Sequence, residues 1–167
     1  MSRVTSTVSS DSPRDETFHA EVSEMLNEPI MTLKRLAGLL ATAGIHTTRR
    51  AAPELSAIVE GVDLNVLVLP EARLIRIGTE LPLHEGAERD DLLELVNQLN
   101  GELTLARCST PWPTWLLCDY HLSYAGGLLP GHLNHVMATF ARDCQRARTA
   151  SQELRTEWGA SGYEDSY

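Results

Sequence analysis

Basic charge is scarce in this chain. Lys and Arg together number 14 against 23 Asp and Glu, giving a net charge of −9 and a pI near 5.1. A protein that neutralises phosphates needs the opposite field, so nucleic acid is disfavoured as a partner. Long apolar runs are missing too. No stretch nears the roughly 20 residues that cross a bilayer, and residues 1–17, MSRVTSTVSSDSPRDET, hold no hydrophobic segment of signal-peptide type. A cytoplasmic location with no membrane partner is the expectation. The three cysteines, Cys108, Cys118 and Cys144, form no C-x-x-C pair, which fits reduced packing thiols better than a disulfide framework. Phosphate-loop, dinucleotide and nucleophile-elbow patterns are absent, so nucleotide chemistry has no support and no cofactor is expected. No segment recurs at a period of 20 to 50 residues, which excludes a solenoid or propeller.

What is present has ordinary soluble composition: 167 residues, 43% apolar and 22% charged, enough for one domain with a core of its own. Residues 1–17 read as a disordered arm, 18–158 as a single α+β domain and 159–167 as a flexible tail. A helical period sets Ile30, Leu33, Leu36, Ala37, Leu40 and Ala41 on one face, with Pro29 near its start and Gly44 where a left-handed terminator belongs. From Leu55 to Leu81 the period changes to two. Gly61 and a turn at 70–72 divide this stretch into three successive antiparallel strands, 55–60, 62–69 and 73–81. Leu92, Leu95, Val96 and Leu99 return to helical spacing, and Gly101 is expected to close that helix. Residues 103–109 and 114–124 are predicted to pair as a hairpin about the Pro-Trp-Pro turn at 111–113. Gly126 and Gly127 break the second strand, and Pro130 opens a last helix bearing Leu133, Val136, Met137, Phe140, Cys144 and Ala147. The predicted order is α-β-β-β-α-β-β-α, a five-stranded antiparallel sheet with helices on one face.

Catalytic groupings are thin. Cys118 and His121 stand three apart on a strand and point to opposite faces, so no thiol dyad forms there. His132 and His135, at i and i+3, offer half a zinc site, completed by Asp119 and His121 only if that strand face meets the helix end. The alternative function is therefore a small-molecule or metal-dependent enzyme using a histidine cluster. Asn97 and Asn100 read as structural polar groups near a helix end, and Gly126 and Gly127 as turn residues that permit positive φ. Trp112, held between two prolines, and Trp115 either meet a partner or pack on the sheet edge. Trp115 and Leu117 alternate with Asp119, His121 and Ser123 on the strand face away from the core. That half-apolar face is expected to be covered by a twofold-related copy or by residues 149–158 folding back. Leu154 and Trp158, at i and i+4, dock on the domain or meet another subunit. Trp112, Trp115, Leu117 and Trp158 are thus the candidate partner-binding residues.

From Leu92 to Phe140 the chain reads LLELVNQLNGELTLARCSTPWPTWLLCDYHLSYAGGLLPGHLNHVMATF. Its Asn97 and Asn100 near a helix end and its Gly126-Gly127 step before an apolar helix resemble the YbjN family of bacterial sensory transduction regulators. VDLNVLVLPEARLIRIGTELPL is similar to that family's central strand pair, and the likeness in layout spans about residues 30–148. The resemblance implies a fold like that of type III secretion chaperones: small, acidic, often paired and without an active site. The chain departs from it at 108–114, CSTPWPT, where the family has an Asp/Gly-rich tip. Together these readings predict a non-enzymatic protein-binding, adaptor or chaperone-like protein, a homodimer whose negative charge favours basic or unfolded partner segments.

Overall fold

A computed structural model describes the backbone of residues 31–49, 53–83 and 87–161 and the side chains of 31–48, 53–83 and 87–153. Helix α1 (Leu33–Thr42) starts where the Thr32 hydroxyl accepts a hydrogen bond from the Arg35 N–H at 3.3 Å, satisfying a donor that the first turn leaves free. It stops at Gly44 (φ +77°), as the sequence predicts. The Gly44 N–H donates to the Ala41 carbonyl (3.0 Å) and the Ile45 N–H to that of Leu40 (2.8 Å), the paired bonds of a Schellman terminus.

Four strands follow: β1 (Thr47–Arg49), β2 (Glu54–Val59), β3 (Val62–Leu69) and β4 (Leu74–Pro82). After α2 (Arg89–Glu102) come β5 (Arg107–Trp112) and β6 (Trp115–Ser123), and the chain ends in α3 (Pro130–Ser161). The sheet has six strands, not five, in the order β1-β2-β3-β4-β6-β5, every neighbouring pair antiparallel. The added strand is β1. Three residues are too few to show alternation, so its pairing with β2 left no periodic trace in the sequence. Between β2 and β3, Glu60 and Gly61 both take positive φ (48° and 79°), the two-residue turn whose twist matches its strands.

Two other boundaries differ from the sequence reading. Gly101 lies inside α2; the helix closes at Leu103, which leaves in an extended conformation as its side chain enters the core. The fifth strand starts at Arg107, not 103, and runs through Pro111 to Trp112. Proline is tolerated there because β5 is an edge strand whose register shifts between Ser109 and Trp112. The hairpin turn is therefore Pro113-Thr114, with Trp112 and Trp115 directly opposite each other. At the far end of β6, Gly126 and Gly127 take φ of 83° and 111°, values that favour residues without a Cβ.

One face of the sheet packs on all three helices. Leu64, Ile75, Ile77 and Leu116 join Leu36 and Leu40 of α1, Leu95 and Leu99 of α2, and Leu133, Met137 and Phe140 of α3 in one buried cluster. Helix α3 continues past the predicted end at 158 to Ser161; residues 1–17 and 162–167 of the predicted arm and tail lie outside the described residues. Its continuity also overturns the folding back of 149–158. Those residues extend a helix whose Ala147 and Ser151 are buried on the core side, so they do not turn to the opposite face. Among the described residues no helix is long and apolar enough to cross a membrane.

Candidate functional site

The face away from the helices is built by strand register. One row across it reads Glu54, Leu67, Arg76 and His121; the next reads Ser56, Asn65, Gly78, Asp119 and Arg107. Arg76 Nε lies 3.5 Å from Asp119 Oδ2 in a partly exposed pair, an arrangement worth about 1 kcal/mol or less. Gly78 has no side chain to fill its place. A Cβ there would sit 3.4 Å from the Cys118 carbonyl oxygen, and its absence leaves a hollow of about 70 Å³ edged by Leu67, Arg76, Glu80 and Leu117.

Apolar groups surround this polar centre. Ile58, 62% exposed, and Trp115, 40% exposed, lie with half-buried Leu117 toward one end of the strands, and half-buried Leu67, Leu69 and Leu74 lie toward the other. At the hairpin tip Trp112 is 55% exposed. Beside it, a cleft of about 370 Å³ opens between the tip and the start of α2, lined by Arg89, Leu92, Leu93, Thr110, Pro111 and Pro113. The structure thus places Trp112, Trp115 and Leu117 in one region. Trp158 belongs to the helical stretch whose side chains are not described.

The entry to β5 is held by two polar side chains with different legibility. Asn100 binds the backbone of Cys108 twice: its Nδ2 donates to the Cys108 carbonyl at 3.0 Å, and its Oδ1 accepts from the Cys108 N–H at 2.7 Å. Asn97, one turn earlier, is exposed. Asp143 is the residue that the sequence reading missed. It is 2% exposed, and its Oδ2 accepts the N–H groups of Leu105 (2.6 Å) and Ala106 (3.0 Å). The signal was an acid within the apolar stripe of α3, between Phe140 and Ala147.

The cysteines, scattered in sequence, meet in the core. Cys108 and Cys118 are opposite in the β5–β6 register with Sγ atoms 3.5 Å apart, and Cys144 of α3 adjoins Cys118. All three are free and buried. The hydrogen bond to Cys118, reinforced by burial, pushes the Cys108 thiol far above its ordinary value. For Cys118 the bond to Cys108 works downward, but the neighbouring Cys144 thiol and burial outweigh it, and this thiol is also pushed up. Thiols kept protonated and out of water are poor nucleophiles. Native protein is therefore expected to consume less than one equivalent of an aromatic disulfide reagent in the time that denatured protein consumes three; rapid labelling of Cys118 in the native state would contradict this.

The histidine cluster does not assemble. His121 stands on the outer face, whereas His132 and His135 are exposed on the first turns of α3, which packs on the other face. Among the described residues no group of three or more His, Cys, Asp or Glu is arranged to hold a metal ion.

The family model of YbjN, described as "Putative bacterial sensory transduction regulator", matches residues 32–153. The chain belongs to the YbjN family. It also shares its fold with the crystal structure of YbjN, "a putative transcription regulator from E. coli", at a TM-score of 0.64 and 11% identity, over 79% of this chain and 97% of that one. No curated protein matches. The YbjN match begins at Thr32, the residue that caps α1, and runs through α3 past Ser151. It therefore takes in the whole sheet, the outer face and the Trp112 tip.

Proposed function

We propose that this protein is a non-enzymatic regulator that works by binding protein: a chaperone-like adaptor that pairs with a second copy through the outer sheet face and takes a partner segment at the Trp112 tip. The observation that carries this reading is the outer face itself, where exposed Ile58 and Trp115 with half-buried Leu117 gather toward one end of the strands and half-buried Leu67, Leu69 and Leu74 toward the other, and no described segment crosses them. Exposed apolar area gathered on one face marks an interaction surface, whereas isolated apolar residues do not. Family membership supports a regulatory role. Charge supports a protein as its target: a chain with a net charge of −9 is repelled by DNA, so regulation runs through protein contacts.

Edge pairing is a poor alternative to pairing by faces. At one edge β1 has only three residues. At the other, Asn100 occupies the outward N–H and C=O of Cys108, and Pro111 lacks a donor; both devices blunt an edge strand. At the tip the exposed residue is Trp112, a side chain of the type that dominates binding energy at interfaces. The test is capture of partners with the wild-type protein and with Trp112→Ala as paired baits. A partner held by the wild type is expected to be lost with Trp112→Ala while the oligomeric state stays the same; equal recovery on both baits would remove the tip from the binding surface.

A further inference from the structure

The register of β5 on β6 does more than bury two thiols. In an antiparallel strand a residue's N–H and C=O point to the same side. Both groups of Cys108 are bound by the Asn100 side chain, so they point away from β6. Cys108 and Cys118 are therefore a non-hydrogen-bonded pair, the kind in which opposed Cα atoms approach to about 4.5 Å. That spacing lies within the range of roughly 4.4–6.8 Å that a disulfide spans. The sulfurs already stand 3.5 Å apart, and closing to a bond of about 2.05 Å asks for side-chain rotation and little strand movement.

We propose that Cys108 and Cys118 are a reversible oxidation site, forming a disulfide within the folded domain when a small two-electron oxidant of the peroxide class reaches them, with Cys144 left as a thiol. The Cys108 sulfur attacks one peroxide oxygen and the O–O bond breaks. The departing hydroxide takes the Cys108 proton to become water, and Cys108 becomes a sulfenic acid. The Cys118 sulfur then attacks the Cys108 sulfur, forming the S–S bond and breaking S–O. The hydroxyl leaves with the Cys118 proton as a second water. Two thiols have lost two electrons and two protons, and the peroxide has been reduced to two waters. Cys108 is the first to react because it lies on the edge strand, where release of the Asn100 clamp opens a path, while Cys118 is covered by β5 and Cys144. Burial keeps the resting pair unreactive, so oxidation proceeds at the rate of that opening.

The link would close a loop carrying the Trp112 tip and join β5 covalently to β6, so oxidation stiffens the segment beside the cleft. The experiment treats the folded wild-type protein with hydrogen peroxide, removes the oxidant, and unfolds and alkylates the product. Expected are a loss of about 2 Da, a single alkylated residue at Cys144, a cross-linked peptide joining Cys108 to Cys118, an unchanged circular dichroism spectrum, and a melting temperature raised by about 5 °C. Dithiothreitol restores three alkylated cysteines, and Cys144→Ser forms the same link. Three alkylated cysteines after peroxide, a Cys118–Cys144 link, over-oxidation of Cys108 without a link, or a link that forms only in denaturant would each overturn the proposal.

Discussion

Replacing Asp143 by alanine is expected to lower stability by about 3–4 kcal/mol and the melting temperature by roughly 10 °C. Segment 103–106 passes from α2 into β5 without strand partners, yet its Ala106 is fully buried. Buried N–H groups need acceptors, and the Asp143 carboxylate serves two of them, at 2.6 and 3.0 Å. Hydrogen bonds to a charged acceptor are about twice as strong as neutral ones. Alanine would remove both and strand two donors away from water, each orphan costing about 1–3 kcal/mol. Asp143→Asn keeps an acceptor oxygen but not the charge and is expected to cost less, about 1–2 kcal/mol. Urea titrations of the three proteins check the order. A loss below 1 kcal/mol for Asp143→Ala would mean that the segment has other support.

Asp143 also shows where a single sequence stops being readable. Elements with a long, strong period were legible: α1 through Leu33, Leu36 and Leu40 with its Gly44 stop, β3 through Val62, Leu64, Val66 and Val68, and α3 through Leu133, Met137 and Phe140. Each repeats its pattern enough times for burial on one face to dominate local preference. β1 was not legible, because its three residues are ordered by pairing with β2 rather than by their own pattern. The end of α2 was misplaced for a related reason: Gly101 has the right chemistry for a stop, but burial of Leu103 carries the chain onward.

The candidate site divides in the same way. Alternation along β6 was enough to place Trp115 and Leu117 on the outer face and Leu116, Cys118 and Leu122 inside, since a strand's period is local. Contacts between distant segments were hidden. Asn100 meets Cys108 across eight residues, and Asp143 reaches Leu105 across 38. The proximity of Cys108 to Cys118 depends on a hairpin register that Pro111 and its bulge made hard to read. The histidine cluster failed for a topological reason: His121 and α3 lie on opposite sides of one sheet.

The outer face yields the other large effect. Leu117 is half-buried between Glu80 and Ser109, so in a lone subunit Leu117→Asp meets water and one neighbouring acid, at a cost of about 1 kcal/mol or less. At a twofold interface the same change buries an unpaired carboxylate from each subunit, at several kcal/mol apiece. Dimer affinity is therefore expected to fall about a thousandfold or more with little change in fold. Trp115→Asp, on the same face of β6, is expected to act in the same direction.

Light scattering coupled to size exclusion at micromolar concentration tests the binding role of this face most directly. The wild-type protein is expected to elute as a dimer of about 37 kDa, twice the chain mass of 18.4 kDa. Leu117→Asp is expected to elute at about 18 kDa with an unchanged circular dichroism spectrum. A wild-type protein that runs as an 18.4 kDa monomer, or a dimer that Leu117→Asp leaves intact, would contradict the assignment of the outer sheet face as the surface on which two copies meet.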